Sequence, residues 1–138
     1  MYDPVFSPTV ARWVGERLDV DFGDNCAAVG ICEGDTPIAG VVYTNSIVGP
    51  AGLHSVEMHI ASISPRWANR KTLRLFFGFA FVNLDASRVT AFTTKKNRPA
   101  RSLLDRLGFV YEGKMREAYS TGDDALIYGM LRHECRWL

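Results

Sequence analysis

The stretch LHSVEMHIASISPRWANRKTLRLFFGFAFVNL, Leu53–Leu84, decides the fold. Over Leu53–Ile63 the side chains alternate. Leu53, Ser55, Glu57 and His59 fall on one face, and His54, Val56, Met58 and Ile60 on the other. A period of two with one less apolar face is a strand. Ser64–Asn69 is a short polar turn. From Arg70 the period changes: Leu73, Phe76, Phe77, Ala80, Phe81 and Leu84 form one apolar stripe, and Leu75, Phe79 and Val82 a second. The spacing predicts a helix over 70–84, apolar nearly all round and therefore buried. Val89, Ala91 and Phe92 then mark a strand over Arg88–Thr94. The whole is a βαβ crossover, whose two strands are expected to be parallel neighbours.

Outward from this unit, Ser7-Pro8 reads as a helix cap with proline at the first helical position, followed by Val10, Trp13, Val14 and Leu18 at helical spacing. Cys26–Glu33 and Pro37–Thr44 read as a hairpin about Gly34-Asp35. On the other side, Ala100, Leu103, Leu104 and Leu107 form a helix closed by Gly108, a left-handed cap. Phe109–Glu112 and Leu126–Leu131 are strands. The expected order is α, three strands, α, β, α, β, β: an α/β (α+β) fold with a mixed, mostly antiparallel sheet, one parallel pair and helices on both faces.

A chain of 138 residues is expected to form one domain and to bury about two-thirds of its unfolded surface. Its longest apolar run is too short to span a bilayer. Three cysteines without metal spacing fit neither a metal site nor a disulfide framework, and no signal-like start is seen, so a reducing cytoplasm is expected.

The charge is unevenly placed. Met58–Leu104 carries nine Lys or Arg and one acid, Asp85; the residues before it carry two basic and eight acidic side chains. Arg66, Arg70, Lys71 and Arg74 bracket one expected helix start, and Lys96, Arg98 and Arg101 the next. Helix starts attract anions, and two with matching cations suggest a multiply charged, phosphate-bearing ligand. A nucleic-acid surface is a poor reading of the same block, because it straddles two helix starts instead of making one stripe.

Three pieces carry a resemblance. They are the strand, basic turn and buried helix of Met58–Phe81; Asn97-Arg98-Pro99-Ala100 followed by Leu107-Gly108-Phe109; and Tyr111-Glu112-Gly113-Lys114-Met115-Arg116. Together they resemble the GNAT N-acetyltransferase superfamily, and within it the branch of ribosomal-protein N-terminal acetyltransferases. The resemblance implies acetyl-coenzyme A as cosubstrate, beside Ile60 to Thr72: Ile60, Ser62, Ile63, Arg66, Asn69, Arg70, Lys71 and Thr72. It also implies a pyrophosphate turn reading Gln/Arg-x-x-Gly-x-Gly/Ala. If Arg66 starts that pattern, Asn69 and Lys71 stand where glycines belong. Backbone donors at a helix start and the cations Arg66, Arg70 and Lys71 still suit a diphosphate, and asparagine tolerates unusual backbone angles.

Acetyl transfer needs a neutral amine near the thioester and a proton for the leaving thiolate. Positioning supplies much of the acceleration, and a general base adds about 10²–10⁴-fold. Glu57 and His59, on the less apolar strand face, are the base candidates; the alternative for both is an ordinary half-exposed strand. His54 faces the other way and reads as structural. Many relatives place a tyrosine four residues before the glycine of Leu-Gly-Phe, where this chain has Leu104. Tyr119, Ser102 and Tyr111 are substitutes by proximity in sequence only, and the alternative for each is a structural role. Asn97 reads either as a cap or as a pantetheine ligand, with Pro99 making the cap ambiguous. Arg101 reads as a phosphate ligand or a surface residue, Trp67 as groove wall or core anchor, and Arg116 as paired to an acid. No metal is implied.

The expected function is an acyltransferase moving acetyl from acetyl-CoA to a primary amine: a protein N-terminus, a lysine or a small amine. The alternative is a non-catalytic CoA-binding or partner-binding module on the same fold. A homodimer, with the residues after the last strand packed across it, is a further expectation.

Overall fold

A computed structural model describes residues 3–5, 8–23, 26–52 and 54–138. Ser7, Asp24 and Leu53 lie outside the described residues. The chain runs β1 (Asp3–Val5), α1 (Pro8–Leu18), β2 (Ala27–Glu33), β3 (Thr36–Val48), β4 (His54–Ser62), α2 (Arg70–Gly78), β5 (Arg88–Thr93), α3 (Arg98–Leu107), β6 (Val110–Met115) and β7 (Ala125–Leu131). The strands form one seven-stranded sheet in the order β1-β2-β3-β4-β5-β7-β6. Every neighbouring pair is antiparallel except β4 and β5, the parallel ends of the crossover. The α/β reading with one parallel pair holds; the three-residue edge strand β1, too short to show periodicity, is an addition to it.

Val29, Val41, Val56, Met58, Val89 and Met130 bury one sheet face against Leu73, Phe76, Phe77 and Phe81 of the α2 segment and Leu104 and Leu107 of α3. Each fully buried phenylalanine contributes about 2–3 kcal/mol of apolar transfer energy. Tyr43 crosses this layer and donates its hydroxyl to the Phe76 carbonyl at 2.7 Å, and burial pushes its pKa well above the usual value. On the other face, Val10, Ala11 and Val14 of α1 pack on Val42 and Ala61. The helix can lie close because it crosses the cross-strand pair Gly30–Gly40. A Cβ at Gly40 would stand 2.8 Å from the Val14 side chain.

The expected helix over 70–84 is α-helical only to Gly78. It continues as a wider π turn over Phe79–Asn83, with the Leu84 amide bonded to the Phe79 carbonyl five residues back. Of the first stripe, Leu73, Phe76, Phe77, Ala80 and Phe81 are buried and Leu84 is half-buried. Leu75 and Phe79 are half-buried and Val82 is 61% exposed, so the expectation of burial all round is corrected. Gly108 has the expected left-handed conformation, φ 102°. The residues after β7 turn back within the same chain, where Cys135 and Trp137 pack against the main core. Among the described residues no helix is long and apolar enough to cross a membrane.

Candidate functional site

Beyond Glu57 the two parallel strands part. β4 and β5 pair at Ser55–Arg88, Val56–Val89 and Glu57–Thr90 and no further. From Met58 to Ser62, β4 pairs with β3, and from Ala91 to Thr93, β5 pairs with β7. The sheet therefore opens as a wedge with Glu57 at its apex. The inner edges of the wedge carry strand N–H and C=O groups that no neighbouring strand takes up.

On the α2–α3 side, β4 leads into a groove of about 530 Å³ lined by Ser62, Ile63, Ser64, Pro65, Trp67, Ala68 and Leu73, and across from them by Pro99, Leu103, Arg106, Leu107 and Trp137. Ser64 accepts from the Arg66 amide at 3.3 Å and starts a 3₁₀ turn over Pro65–Trp67. Trp67 serves both of its expected readings: it lines the groove, and it is 2% exposed with its ring 5.7 Å from that of Phe76. Asn69 then caps α2, its side chain accepting from the Thr72 amide at 3.0 Å. Its backbone is ordinary extended chain (φ −99°, ψ 165°), so the departure from the glycine pattern needs no unusual angle. The first-turn amides of Arg70 and Lys71 have no intrahelical acceptor, and Arg66, Arg70 and Lys71 are exposed around them. Thr72 is buried, its amide committed to Asn69, and Ile60 packs on the main core.

The far wall was missed in the sequence. Trp137 donates its indole N–H to the Leu107 carbonyl at 2.9 Å. The Arg136 guanidinium donates to the Arg106 carbonyl and lies over the Trp137 ring, 4.6 Å from its centre. These donors satisfy last-turn carbonyls of α3 and hold the indole against the groove.

The second expected helix start is different. Asn97 caps α3 by accepting from the Ala100 amide at 3.2 Å, with Pro99 inside the first turn, so capping is the reading observed. Lys95, Lys96, Arg98 and Arg101 line a separate cavity of about 490 Å³ with Gly122, Asp123 and Asp124. Arg101 donates to the Lys95 carbonyl at 3.2 Å, and Lys96 pairs with Asp123 at 3.2 Å. A hydrogen bond from Thr121, supported by Lys96, lowers the Asp123 pKa. Arg101 is therefore turned away from the groove that holds Ser62 and Ile63.

On the α1 side of the sheet, Glu57 and His59 lie together as expected. The His59 Nε2 is 3.7 Å from a Glu57 carboxylate oxygen, with both side chains about one-quarter exposed. Thr44, the cross-strand partner of Glu57, joins them: its hydroxyl lies 2.7 Å from His59 Nε2 and 3.5 Å from the carboxylate. The Phe22 ring packs on the imidazole, 4.9 Å between centres. Burial lowers the His59 pKa below its usual 6.5, and the Glu57 charge opposes this without cancelling it.

Further along this face Arg88 pairs with Glu112 at 2.6 Å and donates to the Thr90 hydroxyl. The pair crosses Gly129, where a Cβ would stand 2.4 Å from the carboxylate. Arg116, expected to pair with an acid, makes no ion pair among the described residues. The acid of that motif, Glu112, is taken by Arg88 instead.

Tyr119 sits in the β6–β7 loop, its amide bonded to the Asp123 carbonyl; partial burial raises its pKa, so it keeps its proton near neutrality. Leu104 is a core residue. The described His, Cys, Asp and Glu residues form no group suited to a metal ion.

No protein-family model matches the chain. It is 28% identical over 110 residues to YdaF of Bacillus subtilis (strain 168), provisionally named a ribosomal N-acetyltransferase; the match covers 70% of this chain and 60% of that one. Among solved structures it resembles the ribosomal-protein-S5-alanine acetyltransferase of Vibrio fischeri (TM-score 0.67, 16% identity, 82% of this chain and 64% of that). It also resembles spermidine N-acetyltransferase SpeG of Vibrio cholerae (0.74, 15%, 99% and 96%) and a GNAT-family acetyltransferase of Streptococcus pneumoniae (0.70, 15%, 95% and 99%). The chain spans less than two thirds of the length of YdaF and of the alanine acetyltransferase. Its fold is that of the GNAT superfamily, as the sequence resemblance implied.

Proposed function

We propose that this chain is an acetyl-CoA-dependent N-acetyltransferase acting on a primary amine by direct attack in a ternary complex. One observation carries the reading: β4 runs from the Glu57–His59 cluster at the apex of the wedge, on one sheet face, to Ser62 in the groove that precedes the cationic start of α2, on the other. The diphosphate of acetyl-CoA binds the Arg70 and Lys71 amides and the side chains of Arg66, Arg70 and Lys71. The pantetheine arm lies in the groove beside Ser62, Ile63 and Trp137 and bonds the free inner edge of β4. The thioester then reaches the wedge from one side and the amine from the other.

The amine arrives as an ammonium ion and loses one proton to the Glu57–His59 cluster, directly or through water. Its nitrogen attacks the thioester carbonyl carbon, the carbon–sulfur bond breaks, and the electron pair leaves on sulfur. The second amine proton balances the thiolate, with the protonated Tyr119 hydroxyl as the candidate donor. The similarity to YdaF and to the alanine acetyltransferase favours a protein N-terminus as acceptor, and that to SpeG a polyamine.

A thiol-release assay with acetyl-CoA and a panel of N-terminal peptides, lysine peptides and polyamines tests this. Acceptor-dependent release that falls at least about 100-fold in Glu57→Gln or His59→Gln is expected. CoA binding without release on any acceptor would favour the non-catalytic module.

A further inference from the structure

We propose that Thr44 is a positioning residue: it holds His59 as the Nε2–H tautomer, so that Nδ1 is the nitrogen that takes the acceptor's proton. The tautomer follows from proton counting. A hydroxyl has one proton to give, and an ionised carboxylate only accepts. With Glu57 3.5 Å from Thr44 Oγ1, the Thr44 proton goes to the carboxylate. The 2.7 Å contact between Thr44 Oγ1 and His59 Nε2 is then an N–H donated by the ring. The reverse arrangement would aim a hydroxyl lone pair at the carboxylate and leave Glu57 without the bond.

The backbone places Thr44 for this role. The β3–β4 register shifts between Thr44 and Ile47, and Asn45 has φ 51°, so a bulge begins where Thr44 must be aimed. Phe22 fixes the ring plane. α1 turns Val10, Ala11 and Val14 to this face, β5 presents Thr90, and the Asp21 carboxylate is engaged by the Gly23 amide. Among the described residues, Glu57 is thus the ionisable group that faces His59.

The second half of the proposal rests on the acetyl-transfer reading; the first does not. The ammonium proton moves to Nδ1, giving an imidazolium whose Nε2–H still donates to Thr44. Its charge faces the Glu57 carboxylate at 3.7 Å. After the amine attacks, the proton leaves Nδ1 for solvent.

Long-range ¹H–¹⁵N spectra of the histidine rings near pH 7.5 test the tautomer, with the His59 signals assigned by their loss in His59→Gln. The expected result is a pyrrole-type Nε2 and a pyridine-type Nδ1 in the wild type, a tautomer mixture in Thr44→Val, and restoration in Thr44→Ser. A wild-type ring protonated on Nδ1, or a Thr44→Val spectrum like the wild type, would overturn the proposal. Should Thr44→Val not fold, the wild-type and Thr44→Ser spectra decide. In turnover, Thr44→Val should lower kcat about tenfold with KM for acetyl-CoA within about twofold, and Thr44→Ser should recover most of it. A failed acetyl-transfer reading would abolish the kinetic arm and leave the spectra intact, so the two failures are distinguishable.

Discussion

The starts of α2 and α3 both read Asn-Arg, and in both the asparagine side chain caps the amide three residues on, at 3.0 and 3.2 Å. Both are surrounded by lysines and arginines. They differ in what faces them. At α2, Arg66, Arg70 and Lys71 are exposed next to the groove lined by Ser62, Ile63 and Trp67, and among the described residues they make no ion pair. At α3, Lys96 is paired with Asp123, Arg101 donates to a backbone carbonyl, and the cavity belongs to the β6–β7 loop. The proposed ligand site is thus the helix start whose cations make no ion pair within the chain, and not the one where Lys96 and Arg101 are already engaged.

The strongest way to break this comparison is to remove the cations. Arg70→Ala with Lys71→Ala should weaken acetyl-CoA binding about tenfold or more by calorimetry, since losing one charge-assisted bond is worth about 1.5–3 kcal/mol. Lys95→Ala with Lys96→Ala should change it less than about threefold. Equal losses from both pairs would erase the distinction.

The caps should behave alike where the ligand sites do not. Asn69→Ala and Asn97→Ala should each destabilise the free protein by about 1 kcal/mol in urea melts, with glycine at either position costing only a few tenths. Because Asn69 is extended, Asn69→Gly should not tighten acetyl-CoA binding. A marked gain would mean that the turn does call for a glycine geometry.

The polar cluster supplies a control lying outside both helix starts. Its His59 pKa is lowered in the folded chain, so the unfolded state binds a proton first as pH falls. Stability from this residue is complete above about pH 6.5 and declines below it, towards the folded-state value. His59→Gln should flatten the stability–pH slope in that window. An unchanged slope would place the proton elsewhere. The smallest effect is expected from Lys96→Ala alone: the Lys96 side chain is largely in solvent, and the melting temperature should not move measurably.

The elements legible in the sequence are those governed by local period. The alternation over residues 54–62 put Glu57 and His59 on one face, and the stripe through Leu73, Phe76 and Phe77 gave the buried helix. The wedge was not legible, because it depends on β7 inserting next to β5 and drawing it away from β4, a choice of lateral neighbour. Thr44 was hidden for the same reason: only the β3–β4 register brings it to His59. Trp137 looked like part of a chain end available to a dimer, and its place depends on the unmet carbonyls of α3. Val82 was misjudged because a π turn changes the period within an apolar run, and no residue type announces it.

The central claim is that acetyl-CoA runs from the start of α2 into the opening between β4 and β5. Amide chemical-shift mapping of the ¹⁵N-labelled protein with acetyl-CoA tests it most directly. The account predicts the largest shifts over Met58–Thr72 and at the Trp137 indole, with little change at Lys95 and Lys96. Saturable binding that shifts the β6–β7 loop and Lys95–Arg98 while leaving Ser62–Lys71 unmoved would contradict it.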